Sequence, residues 1–371
     1  MVRRIFLIPI ILMFCASNIA IAGRTWINSP IEVGGMPVQG GHCGLAMRSG
    51  NTWPVVSYGD PMGNSTAVMT PVGWISGPSV GTPTLGISAA TSPSGTVGFA
   101  YGNGFVQTLS PAGWATSNYG ATSPGSSSFA FNTDSNPGVL HNAGGGGSDL
   151  TVAFFNGSGW YQDVVQSASD GPFSSDAFAL EYDSYNQANI AFAQGTELMF
   201  GVKGVLTQHQ WEFDTVKLGA SLSFVDMAMG VEDVPWVTYE SENLLYYATY
   251  DRQQQDWVNG LIGELEGDGY FSMATDSTGG IGVAFVGLDN LLTYAYTDGS
   301  GIWTTDSGFA NADDNRDVGL AFDADNNPVI CYSDMDYGGV LYLAYDPVVP
   351  EPASIMLLAI GAAILRRRQR A

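Results

Sequence analysis

The stretch GLAFDADNNPVICY, Gly319 to Tyr332, holds a short apolar strand, an Asp/Asn turn opening at Asp323, and a second strand in which Pro328, Ile330 and Tyr332 alternate with other residues. Alternation with period two puts one set of side chains on a single face of a strand. Proline is tolerated at the strand's first position, where no ladder donor is needed. The same pattern returns as Pro54-x-Val56-x-Tyr58, Pro137-x-Val139-x-His141 and Pro235-x-Val237-x-Tyr239, and without proline as Ala188-x-Ile190-x-Phe192 and Ile281-x-Val283-x-Phe285. The turn position recurs at Arg48, Thr91, Asn132, Asp183, Gly230, Asp276 and Asp323, at spacings of 43, 41, 51, 47, 46 and 47 residues.

Outward from this core, most copies carry a third strand: LTVAF from Leu150, LMFGV from Leu198, LLYYATY from Leu244, LLTYAY from Leu291 and LYLAY from Leu341. A Gly-rich turn then leads to a tryptophan, at Trp74, Trp114, Trp160, Trp211, Trp257 and Trp303. Four short strands in roughly 45 residues is the length of a propeller blade. The seventh copy lacks its tryptophan strand, whereas Trp26 precedes the first copy without one of its own. A strand around Arg24 to Ile31 therefore completes the last blade, with Trp26 expected near Leu341 and Leu343, and hides two sheet edges. The expected architecture is all-β: a seven-bladed β-propeller over residues 23–347, closed by its N-terminal strand, with short apolar helices at both ends.

The strands resemble a family of secreted bacterial propellers built on S-L-A-x-D, P-x-V-x-Y, L-x-Y-A and G-x-W, over residues 24–346. Sialidase-like and lectin-like propellers share this blade design. A sialidase needs clustered arginines for its substrate carboxylate. Between the two ends the chain has only Arg24, Arg48, Arg252 and Arg316, which excludes that chemistry.

The N-terminus runs from Arg3 and Arg4 through the apolar Ile5 to Phe14 into Ala20-Ile21-Ala22. Positive, apolar, A-x-A is the order of a secretory signal peptide, here residues 1–22 with cleavage after Ala22. The C-terminal segment, residues 348–371, reads Pro350-Glu351-Pro352, a short apolar run from Ile355 to Leu365, then Arg366, Arg367, Arg368 and Arg370. The run falls short of the roughly 20 residues that span a bilayer core, and the arginines fit a cytoplasmic stop. This tail resembles the PEP-CTERM sorting signal, also called the ice-binding protein C-terminal domain. The resemblance implies export across a Gram-negative-type envelope, transient anchoring at the inner membrane, and processing by an exosortase-type protease before release to the surface or matrix.

Without both ends, Lys+Arg falls from 12 to 6 and Asp+Glu from 35 to 34, a net charge near −28. Only Glu32, Asp60, Asp134 and Asp149 precede residue 160. So acidic a chain excludes nucleic acid and anionic lipid as partners.

Candidate site residues are few. Tryptophans repeated once per blade are packing residues; Trp53 and Trp236 stand outside that register and are the candidate ligand platforms. His141 takes a slot filled by Tyr or Phe elsewhere, which points to the core. Asp323, Asp325 and Asp334 superficially resemble a calcium loop, with Pro328 where such a loop needs glycine; calcium is the one cofactor considered, against an Asx turn. Cys43 and Cys331, the two cysteines outside the signal peptide, belong to neighbouring blades and are candidates for a disulfide. No catalytic constellation emerges. The favoured function is a non-catalytic envelope or matrix propeller binding extracellular glycan or an envelope protein, and the alternative is a polysaccharide hydrolase.

Overall fold

The computed structural model describes residues 24–346, except short segments at 41, 49–52, 61–62, 83–85, 122–124, 143–148, 168–172, 205–209, 220, 268–269, 314–315 and 337–338. Ala20 and Ala22, the sorting residues Pro350 to Arg368 and both expected apolar helices lie outside the described residues. Among those described the only helices are single 3₁₀ turns, Val231–Asp233 and Leu288–Asn290, so none is long and apolar enough to cross a membrane. All else regular is strand.

Each repeat folds as an antiparallel up-and-down meander, inner strand first. Four sheets have four strands each. A fifth adds the small hairpin Glu32–Val33 and Met36–Pro37 beside the strand of Trp74. The remaining eight-stranded sheet is two such meanders joined by one parallel residue pair, Ala177 with Val225. The inner strands are Cys43–Met47, Ile87–Thr91, Ser127–Phe131, Phe173–Tyr182, Val225–Met229, Phe271–Thr275 and Gly319–Phe322. Each packs beside the next, and the last packs against the first, so the inner strands form a closed circle.

The circle is stitched by a repeated bond. Ser88, Ser128, Asp226 and Ser272 occupy the same place on their strands, and each accepts a backbone N–H from the following inner strand: those of Phe129, Leu180, Met273 and Leu320, at 2.9, 2.9, 2.7 and 3.2 Å. Where the place is glycine the backbones come closer. A Cβ on Gly319 would lie 3.1 Å from the Leu45 nitrogen, and one on Gly44 only 2.9 Å from the Ile87 side chain.

The turn residues act as expected for Asx turns. Asp183, Asp276 and Asp323 each accept backbone N–H groups two and four residues on, at 2.8 to 2.9 Å, and Asn132 does the same at 3.1 and 2.8 Å. Neighbouring turns are also joined. Thr133 donates to Asn186, Ser184 to Asp233 and Ser277 to Asn326.

The core divides into seven clusters, one at each junction between successive repeats; six contain one of the repeated tryptophans and the seventh contains Trp26. Trp114, for instance, joins Val55 and Val68 of the first repeat to Phe99 and Tyr101 of the second. Ile27–Pro30 pairs with Val340–Tyr345, Ile27 opposite Tyr345 and Pro30 opposite Tyr342, so the N-terminal strand completes the last meander. Trp26 corrects the expected contact. Leu341 and Leu343 face the first repeat, whereas the indole stacks on Phe309 at 4.2 Å and meets Tyr294 edge-on at 5.6 Å in the preceding repeat. Alternating residues of one strand face opposite junctions, and Trp26 serves the other one.

Candidate functional site

Two kinds of cavity are built from these repeats: a central channel, and clefts between neighbouring meanders at their turn ends.

The channel is walled by the inner strands, with cavities of about 500 and 240 Å³ towards its two ends. The residue two beyond the stitching position is alanine in six strands (Ala46, Ala90, Ala130, Ala228, Ala274 and Ala321) and Glu181 in the seventh. Glu181 lines both cavities. Glu181 as a whole residue is partly exposed. Burial first, then the Asp226 carboxylate on the next strand, push its pKa up to about 8, against a bond from the Tyr182 backbone. Asp226 itself is pushed up to about 6 by burial, opposed by the N–H groups of Met273 and Met227. Neither acid was singled out from sequence, although the break in the alanine series at 181 was there to be read.

One cleft, about 580 Å³, lies between the fifth and sixth repeats. Its floor is Trp236, only 4% exposed, stacked on Tyr247 at 5.6 Å, with Trp303 edge-on at 6.0 Å. At the rim, Arg252 pairs with the Glu232 carboxylate at 3.2 Å and donates to that residue's carbonyl. Asp251 accepts from the backbones of Gln254 and Gln253 and from the Gln254 amide, and these bonds hold its carboxyl below the usual range. Trp236 fills a slot held by Val55, Gly138, Asn189, Gly282 and Val329 elsewhere. Its indole explains why the turn residue here is glycine: a Cβ on Gly230 would sit 2.9 Å from the indole nitrogen. Trp236 thus enters the cleft as its buried floor. Trp53, half-buried beside the Arg48 turn, lines neither cleft nor channel.

The second cleft, about 470 Å³, occupies the same place between the third and fourth repeats. Phe154, stacked on Tyr161 at 5.3 Å, Tyr182 and the 80% exposed Tyr185 supply aromatic surface, and Asn136 and Asn186 supply amides. Lys203 reaches Asp163 at 2.6 Å and lies 4.1 Å over the Phe154 ring, a cation–π contact. Cavities of this size, with aromatic walls and a few fixed polar groups, suit a small, rigid, hydroxylated ligand such as a sugar.

The three residues weighed for calcium are not gathered at one point. Asp323 and Asp334 stand at opposite ends of the strand Pro328–Asp334, about 20 Å apart at the rise of an extended chain. Asp323 caps its own turn and Asp334 accepts the Asp336 N–H. No group of three His, Cys, Asp or Glu residues suited to a metal occurs among the described residues. Cys43 and Cys331 are brought together, as buried free thiols in one cluster.

Comparison with known proteins locates both the tail and the fold. The PEP-CTERM protein-sorting motif matches residues 348–370. It marks an exported protein sorted to the cell surface and implies processing by an exosortase. No curated protein matches the chain. Among solved structures, the BP39L lectin from Burkholderia pseudomallei is 14% identical, with 83% of this chain and 96% of that one covered at a TM-score of 0.60. The Aleuria aurantia lectin, described as a six-bladed β-propeller with a novel mode of fucose recognition, is 15% identical over 72% of this chain and 94% of its own, at 0.47. The first likeness establishes shared fold alone; the second is too low to argue from. The chain is an all-β protein with the fold of β-propeller lectins.

Proposed function

We propose that this chain is a non-catalytic, seven-bladed propeller that binds glycan through the clefts between its blades, on a surface-sorted protein. The carrying observation is the recurrence of one kind of cleft at two junctions, each with aromatic walls and a fixed cation. The fold of the Burkholderia lectin supports the reading, and the sorting motif supplies a surface where glycans are met. The carboxylates at the better-defined cleft are engaged, Glu232 by Arg252 and Asp251 by backbone donors, which suits binding rather than proton transfer. Before release, the basic tail holds the precursor at the inner membrane until an exosortase-type protease cuts near Pro350-Glu351-Pro352. The mature extracellular protein accordingly lacks this tail.

A glycan-array screen of the leader-processed chain, run beside hydrolysis assays on the same glycans, tests this. Arg252→Ala and Tyr185→Ala alter exposed side chains and should leave the melting temperature unchanged. Each should weaken glycan binding about tenfold at its own cleft, equivalent to about 1.4 kcal/mol. An array without binders, or turnover of a bound glycan, would overturn the reading.

A further inference from the structure

The Cys43 and Cys331 side chains meet at the junction where the last repeat packs against the first. Cys43 opens the first inner strand, and its thiol donates to the Asp317 carbonyl at 3.4 Å and shares a side-chain hydrogen bond with Cys331. Cys331 lies in the second strand of the last repeat, opposite Gly319. That glycine is the point of close approach, since a Cβ there would lie 3.1 Å from both the nitrogen and the Cβ of Leu45. Both cysteines are at most 2% exposed and share a cluster with Leu45, Val56, Leu341 and Leu343. They are the only cysteines outside the leader, and the sorting motif sends the chain out of the reducing cytoplasm.

We infer that Cys43 and Cys331 form a disulfide in the exported protein, joining the first repeat covalently to the last and locking the circle. The oxidant is a protein disulfide of the exported compartment. One cysteine thiolate attacks that disulfide, giving a mixed disulfide and releasing one donor thiolate. The second cysteine thiolate then attacks the mixed disulfide, the Cys43–Cys331 bond forms, and the second donor thiolate leaves. The two cysteines together lose two electrons and two protons, and the donor ends as a dithiol. Once the ring is closed, the hydrogen bond to Cys331 and burial hold the Cys43 thiol well above its usual pKa, leaving little thiolate. The exchange therefore belongs to the last stage of folding, before this junction seals.

The test uses the full chain, exported by its own leader into an oxidising periplasm and purified without reductant. Alkylation in denaturant should label no cysteine before reduction and two after it, and intact mass should rise by two hydrogens on reduction. Two labels without reductant, on leader-processed protein, overturn the inference. Reduced wild type should melt several degrees below the oxidised form, while Cys331→Ala should be insensitive to reductant. Should that variant fail to fold, the thiol count on the wild type still decides.

Discussion

At the scale of single residues, two side chains set opposite limits on stability. His141 is 2% exposed in a slot where other repeats place Tyr or Phe, and burial lowers its pKa from 6.5 to about 4. The unfolded chain binds a proton that the folded chain refuses, so stability is lost as pH falls from 6.5 towards 4. Glu181 behaves in the opposite sense. Its pKa is raised from 4.5 to about 8, so its contribution is whole below pH 4.5 and is lost as pH rises through 8. A melting-temperature profile should therefore decline on both sides of a mildly acidic optimum. His141→Phe, the residue of two other repeats, should flatten the acid limb alone, and Glu181→Gln the alkaline limb alone. A profile in which either substitution leaves its limb unchanged would contradict the assignment. The alanines at the position of Glu181 in six other strands show that folding does not require an acid there. Its place in the channel is a departure that the fold carries at a cost.

Among the elements, the strand Ile27–Pro30 matters out of proportion to its length. Its ladder with Val340–Tyr345 covers the outer edge of the last meander, and Arg24 adds an ion pair to Asp346 at 3.3 Å. Trp26 extends it into the junction with the preceding repeat. Removing residues 24–33 should expose an edge and open the circle, lowering the melting temperature of the whole domain instead of fraying one end. Trp26→Ala should cost about 3 kcal/mol, the low end of the range for a core aromatic, because the ring is half-buried. Chemical denaturation of both variants measures these effects, and wild-type midpoints would refute the role given to the strand.

For the whole molecule, the controlling quantity is charge. Outside the two ends, six cations face 34 acids, and Arg24, Lys203, Arg252 and Arg316 already sit in ion pairs. Most carboxylates therefore repel one another without local compensation. Raising ionic strength from about 0.01 to 0.15 M shortens the screening length from about 30 to 8 Å, so the melting temperature should climb by several degrees. A melting temperature indifferent to salt would show that the acids lie too far apart to matter.

The chain's sequence alone determined the strands, the turns and the order of the repeats, because each follows from local chemistry. Alternation needs neighbours two residues apart, and an Asp or Asn turn needs N–H groups two and four residues on. The repeated tryptophans could also be read as packing, since anything recurring once per unit belongs to the unit. The orphan strand at Trp26 could be matched to the incomplete last repeat by counting. Tertiary structure alone decided what crosses a junction. Asp323 and Asp334 looked close because eleven residues separate them in the chain, but an extended strand carries them to opposite ends. The strand Ile27–Pro30 pairs with the last repeat through its backbone, whereas the ring of Trp26, just before it, packs on the preceding one. Glu181 and Asp226, 45 residues apart, become neighbours in the channel only because the inner strands close into a circle.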